Sequence, residues 1–171
     1  MNVSDVRELF QFNTWANRRM FDALAVLPTE QYRQDLKSSF GNIHGTLAHL
    51  VGAEKVWFAR WQGQQPTALL KGDDVGSLQE LRAMWEGLDA ERRQYLGGLT
   101  DAMLGSMVVV RPTGGGKEYV HTLQQTIQHT VDHSSYHRGQ IVTQLRQLGV
   151  KPPSTVFIGF LREQATQPAS R

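Results

Sequence analysis

The sequence predicts an all-α protein, a bundle of four long helices with a short hairpin before the last of them. Three observations carry that prediction. Apolar residues recur every three or four positions over four separate stretches of roughly twenty or more residues; capping residues, glycines and prolines bound those stretches; and a single short segment reads as extended. The 171 residues suit one hydrophobic core, so residues 1–171 read as a single domain.

Leu9, Phe10, Phe12, Ala16, Met20, Phe21 and Leu24 form the first stripe, with Ser4 as the candidate cap of a helix over 4–26 and Pro28 as its stop. The polar stretch after Pro28 has no clear period. Ile43, Leu47, Leu50, Val51, Trp57, Phe58 and Trp61 trace a second helix over about 41–62, ended by Gly63. Residues 63–76, rich in Gly, Gln and Asp, read as a long connection able to shape the mouth of a pocket. Ser77-Leu-Gln-Glu80 has the form of a capping box and opens a third helix that closes near Gly97-Gly98. Met107–Val110 and Lys117–His121, on either side of Gly114-Gly-Gly116, form the expected hairpin. Thr122-Leu-Gln-Gln125 is a second capping box, and the stripe from Leu123 to Leu148 gives a last helix stopped by Gly149 and Pro152-Pro153. The tail around Phe157–Leu161 is expected to pack on the bundle surface.

Composition excludes several functions. Eighteen basic and sixteen acidic residues leave a net charge of +2, and no basic cluster is long enough to neutralise a row of phosphates, which argues against nucleic-acid binding. No apolar run approaches the roughly 18–20 residues of a membrane span, and the first residues lack the basic and apolar regions of a signal peptide, so a cytoplasmic location is expected. Cysteine is absent, which removes disulfides, thiolate ligands and a cysteine nucleophile and leaves His, Asp and Glu as metal ligands. Thiol chemistry would need a thiol from outside.

The candidate site lies on the last helix, where His129, His133 and His137 stand four apart. Neighbours at that spacing can chelate one ion, but His129 and His137 are about 12 Å apart along the axis, too far to share it at bonds of about 2.0–2.1 Å. Measured from Ile141, His137 lies near −40°, His133 near −80° and His129 near −120°, against an apolar stripe centred near +35°. His133 and His137 therefore edge the core while His129 faces away, and a third ligand must come from another helix. The second helix offers His44, His49 and Glu54. Periodicity places Glu54 at the centre of its stripe, where a carboxylate needs an arginine partner or hydrogen bonds, and ranks His44 ahead of His49 as the third ligand.

His133-Ser-Ser-Tyr-His137-Arg138-Gly139-Gln140, together with Ile43-His-Gly-Thr-Leu-Ala-His49-Leu50 leading to Glu54 and Trp57, resembles the DinB/YfiT-like family, a likeness that extends to Phe10–Trp15 and covers nearly the whole chain. The resemblance implies an up-down-down-up four-helix bundle, often a homodimer, holding one divalent transition ion, nickel or zinc, through three histidines and water. Matched motif to motif, the ligands fall on His49, His133 and His137, which reverses the preference for His44. Asp132 departs from the asparagine common before the ligand histidine and is expected at the surface. Three neutral histidines leave a coordination position open, as in catalytic sites. Relatives include metal-dependent thiol S-transferases and a thiol-dependent maleylpyruvate isomerase. The expected function is thus a metal-dependent thiol S-transferase or hydrolase, with a low-molecular-weight thiol as cosubstrate in the first case; the alternative is a non-catalytic metal- or ligand-binding bundle.

Overall fold

A computed structural model of the chain, described over residues 1–166, contains the four long helices α1 (Val3–Leu24), α3 (Ile43–Trp61), α4 (Leu78–Gly97) and α5 (Leu123–Gln147). A short helix α2 (Thr29–Arg33) occupies the polar stretch after Pro28, where five residues are too few to show a period. The antiparallel strands β1 (Met107–Val110) and β2 (Tyr119–Thr122) form the expected hairpin, and α6 (Phe157–Thr166) packs Phe160 against Phe12 and Trp15 of α1.

Two of the four starts differ in detail from expectation, and each difference follows from which side chain reaches the free amides. Asn2, rather than Ser4, caps α1 and forms a reciprocal box with Asp5. Asn42 caps α3 by accepting from the amide of Gly45. Ser77 caps α4 as expected, but the Glu80 carboxylate accepts from the amide of Gly76 instead of closing the box on Ser77. Thr122 and Gln125 make the full box at α5.

The directions of the helices follow from their contacts. The side chain of Arg7, at the start of α1, donates to the carbonyls of Leu96 and Gly97 at the end of α4, so these two are antiparallel. After α3 ends, the chain runs back along it: Leu70 packs on Gly52, and Gly72 reaches His44 at the helix start. Any side chain at Gly52 would collide with Leu70. The crossover thus returns the chain to the end where α3 began, and α4 runs parallel to α3. With α5 parallel to α1, the order is up-down-down-up.

The core is divided by a polar layer. Phe10, Phe58, Trp61, Leu96 and Ile127 belong to one apolar cluster, Met20, Phe21, Leu47, Leu81, Trp85 and Ile141 to the other, and each cluster draws on all four long helices. Between them Glu54 is 1% exposed. Its Oε1 accepts from Asn13 (2.7 Å), Asn17 (2.9 Å) and Ser134 (2.7 Å), and its Oε2 accepts from Arg92 (2.8 Å). Arg92 also pairs with Asp89, which accepts from Thr14. Arg138 donates to the side-chain oxygens of Asn13 (2.6 Å) and Asn17 (2.7 Å). Two carboxylates and two guanidinium groups balance the buried charge, and all four long helices contribute.

Burial alone would raise the pKa of Glu54, but Arg92 and the Asn13 and Ser134 hydrogen bonds outweigh it and hold the carboxyl at about 2. The unfolded chain, with an ordinary value near 4.5, takes up this proton first as pH falls. The contribution of Glu54 is therefore present above pH 4.5 and is lost as pH falls toward 2. Replacing Arg92 by Met leaves the carboxylate buried without its cation and is expected to cost roughly 3–5 kcal/mol. Urea unfolding at neutral pH measures this loss, and the acid-side slope of the midpoint should flatten in R92M because its Glu54 no longer holds a lowered pKa.

Candidate metal centre

His49 projects from α3 and His133 and His137 from α5, and the two antiparallel helices bring the three rings together. One ring nitrogen from each lies within 4.8 Å of the others, and the Nε2 atoms of His133 and His137 are 3.1 Å apart. A tetrahedral ion with nitrogen bonds of about 2.0–2.1 Å needs ligand atoms about 3.3 Å apart, so small adjustments of the rings suffice to close on one. The donor set fits a divalent transition ion such as zinc, nickel, copper or iron.

The outer contacts set the rings for that task. Gln140 Oε1 lies 2.8 Å from His137 Nδ1, so Nδ1 carries the proton and Nε2 presents its lone pair toward His133. Phe40 stacks on His49 at 4.3 Å with its plane inclined by 22°. Phe40 can lie so close because Gly45 has no side chain to meet its carbonyl. Burial, assisted by the neighbouring His137, lowers His49 and His133 to about 4, and burial also lowers His137. All three are neutral at pH 7, the state a metal requires.

Beside His49 a cavity of about 440 Å³ opens between Phe40, Asn42, Arg33 and residues 69–73 of the crossover. The long connection thus does shape a pocket at the site. The hairpin does not line this cavity; it packs where α3 ends, with Arg60 donating to the Arg111 carbonyl and Gln65 to that of Val109.

Periodicity alone misplaces His44. It is buried, but on the side of α3 that faces α2 and the crossover. Its Nε2 lies 2.9 Å from the carbonyls of both Gly72 and Val75, so it must carry the proton, and Nδ1 accepts from the Tyr32 hydroxyl at 2.9 Å. Both nitrogens are committed to pinning the crossover. The error has a simple cause: α3 is covered on nearly every side, so its apolar stripe does not single out the face toward α5. His129 is exposed, as its angle indicates, and so is Asp132. Glu54 has an arginine partner, Arg92. The sequence did not assign Asn13, Asn17, Ser134 and Arg138 to a polar layer, although two asparagines four apart within the α1 stripe are a usable sign of one.

Comparison with known proteins agrees with this architecture. The DinB family model matches residues 1–169. Protein DinB of Bacillus subtilis (strain 168) is 27% identical over 168 residues, covering 95% of this chain and 96% of that protein. The uncharacterized protein YizA of the same strain is 24% identical over 152 residues, covering 89% and 93%. Among solved structures, a DinB-like protein from Bacillus cereus ATCC 10987 superposes with a TM-score of 0.64 at 20% identity, covering 85% of this chain and 94% of that one. YfiT from Bacillus subtilis superposes with a TM-score of 0.68 at 16% identity, covering 85% and 89%; it is described as a probable metal-dependent hydrolase with an unusual four-helix bundle topology. Two such structural neighbours share the fold, and with a family model spanning the described helices and the candidate site, the chain belongs to the DinB family.

Proposed function

We propose that this protein is a metal-dependent enzyme in which His49, His133 and His137 hold one divalent ion, nickel or zinc, and that the reaction is transfer of a thiol to an electrophile. The observation that carries this reading is the convergence of three neutral imidazoles, with no fourth protein ligand among the described residues. An ion bound there would lower the pKa of a thiol or water in its open position toward neutrality and hold it for attack. The chain does the rest. Gln140 fixes the His137 tautomer, Phe40 shields the His49 face from water, and the cavity of about 440 Å³ beside His49 gives a small molecule room to approach. With no cysteine in the chain, the thiol itself must be external. Hydrolysis, with water in place of the thiol, is the second reading, and the description of YfiT favours it.

The lowered histidine pKa values make metal binding tolerant of acid. Because His49 and His133 stay neutral down to about 4, loading an ion at pH 6 should release almost no protons from them, and affinity should begin to fall only near pH 5. Calorimetry in buffers of different ionisation enthalpy counts the released protons; two per ion at pH 6 would contradict the shifts. The same sign applies to stability, since the unfolded histidines protonate near 6.5 while the folded ones do not. The metal-free fold therefore loses stability as pH drops from 6.5 toward 4.

Turnover is tested by following free thiol after adding an electrophile to protein loaded with zinc or nickel, using a panel of cellular thiols, with ester and amide hydrolysis assayed in parallel. Thiol loss should be roughly a hundredfold or more faster than with the metal-free protein or with H133A/H137A, a difference of about 2.7 kcal/mol in barrier. Equal rates with and without metal would sink the S-transferase reading, and metal-dependent hydrolysis alone would establish the second.

A further inference from the structure

Beyond the three histidines, a row of side chains on α3 and α5 leads toward the hairpin. Ala53, Trp57 and Arg60 follow His49 along α3 at spacings of three and four, and His129 precedes His133 by four on α5. Antiparallel packing joins them into one row. The His129 ring is 5.7 Å from that of His133, Trp57 meets His129 edge to face at 4.7 Å, and the Arg60 guanidinium lies over Trp57 at 4.7 Å.

Arg60 is the anomaly in this row. It is 6% exposed and forms no ion pair with any carboxylate among the described residues. Its guanidinium makes one hydrogen bond, from Nη2 to the Arg111 carbonyl at 2.6 Å, and its buried Nε has no acceptor. The other two buried arginines, Arg92 and Arg138, also leave Nε without an acceptor, but the rest of each guanidinium has several partners. Arg92 pairs with Glu54 and Asp89, and Arg138 is surrounded by the oxygens of Asn13, Asn17 and Ser135. Burial of a cation without a counter-charge is costly, and a guanidinium fork has the shape to donate to two carboxylate oxygens side by side. Arg60, alone of this row, also borders a cavity of about 370 Å³ lined by Trp61, Gln65 and Met107–Val109, so there is room for a ligand beside its guanidinium.

We propose that Trp57, Arg60 and His129 form a recognition subsite for a carboxylate group of the small molecule processed at the three-histidine centre. This rests on the metal-dependent reading for the centre itself, but the subsite contains none of the three ligand histidines. Arg60 supplies the charge and the fork, Trp57 holds the guanidinium plane, and His129 offers an N–H from the opposite helix. A single guanidinium matches the one negative charge of a carboxylate better than a phosphate dianion.

The test follows the Trp57 indole and Arg60 Nε–H resonances in isotope-labelled protein during titration with acetate and with acetamide, its uncharged counterpart. Acetate should shift both resonances saturably and acetamide should not, in zinc-loaded wild type and in H133A/H137A alike. R60Q should weaken acetate binding at least tenfold, and R60K, which keeps the charge without the fork, should weaken it less. Equal responses to acetate and acetamide overturn the subsite, as does unchanged acetate affinity in R60Q; the wild-type comparison needs no variant to fold. A series of mercaptoalkanoates of increasing length then tests the link to the metal. In zinc-loaded protein, affinity should peak at one length and the peak should vanish in R60Q. No peak would separate the subsite from the centre. If no ion binds, the metal reading fails while the acetate titration still decides the subsite.

Discussion

The Glu54 carboxylate is the constraint around which this bundle is arranged. A buried anion must find its full set of donors, and here those donors come from the other three long helices: Asn13 and Asn17 on α1, Arg92 on α4 and Ser134 on α5. Apolar packing alone would tolerate sliding or rotation of one helix by part of a turn, because Leu, Ile and Phe exchange places at modest cost. Four directional hydrogen bonds to two oxygens do not. The polar layer therefore fixes the relative rotation of the helices, at the expense of stability that a fully apolar layer could have supplied.

That rotation reaches the histidines through their sequence neighbours. Ser134 follows His133, and Arg138 follows His137. Adjacent residues on a helix point about 100° apart, so turning Ser134 and Arg138 into the polar layer turns His133 and His137 onto the neighbouring face, the one opposite His49. The outer contacts then complete the site from the other direction, with Gln140 on His137 and Phe40 on His49. The core and the candidate metal centre thus share one framework, and a change that loosens the Glu54 layer should spread the three imidazoles before it unfolds the chain.

Much of this was legible in the sequence, and the reasons differ from element to element. The four long helices follow from stripes several turns long with strong boundaries, and the hairpin from its valines and glycines. His133 and His137 follow from a single helix whose inward face is well defined by Ile127, Ile141 and Leu145. His49 needed the family resemblance, because α3 is wrapped on nearly all sides and its period carries little directional information. The commitment of His44 to the crossover depends on Gly72 and Val75, some thirty residues away, and no local pattern encodes that contact. The cap at Asn2 and the use of Glu80 on Gly76 show the same limit at small scale, since several polar side chains near a helix start compete for the same amides.

The central claim is that the bundle presents His49, His133 and His137 to one ion. X-ray absorption at the metal edge, with elemental analysis of the same samples, tests it most directly, on wild type loaded with zinc or nickel and desalted, beside H49A and H133A/H137A. The account predicts about one ion per chain bound by three imidazoles in the wild type, a weakened site with two imidazoles in H49A, and no retained metal in the double variant. A wild type that keeps no ion, or one whose ion survives the double substitution, would contradict it.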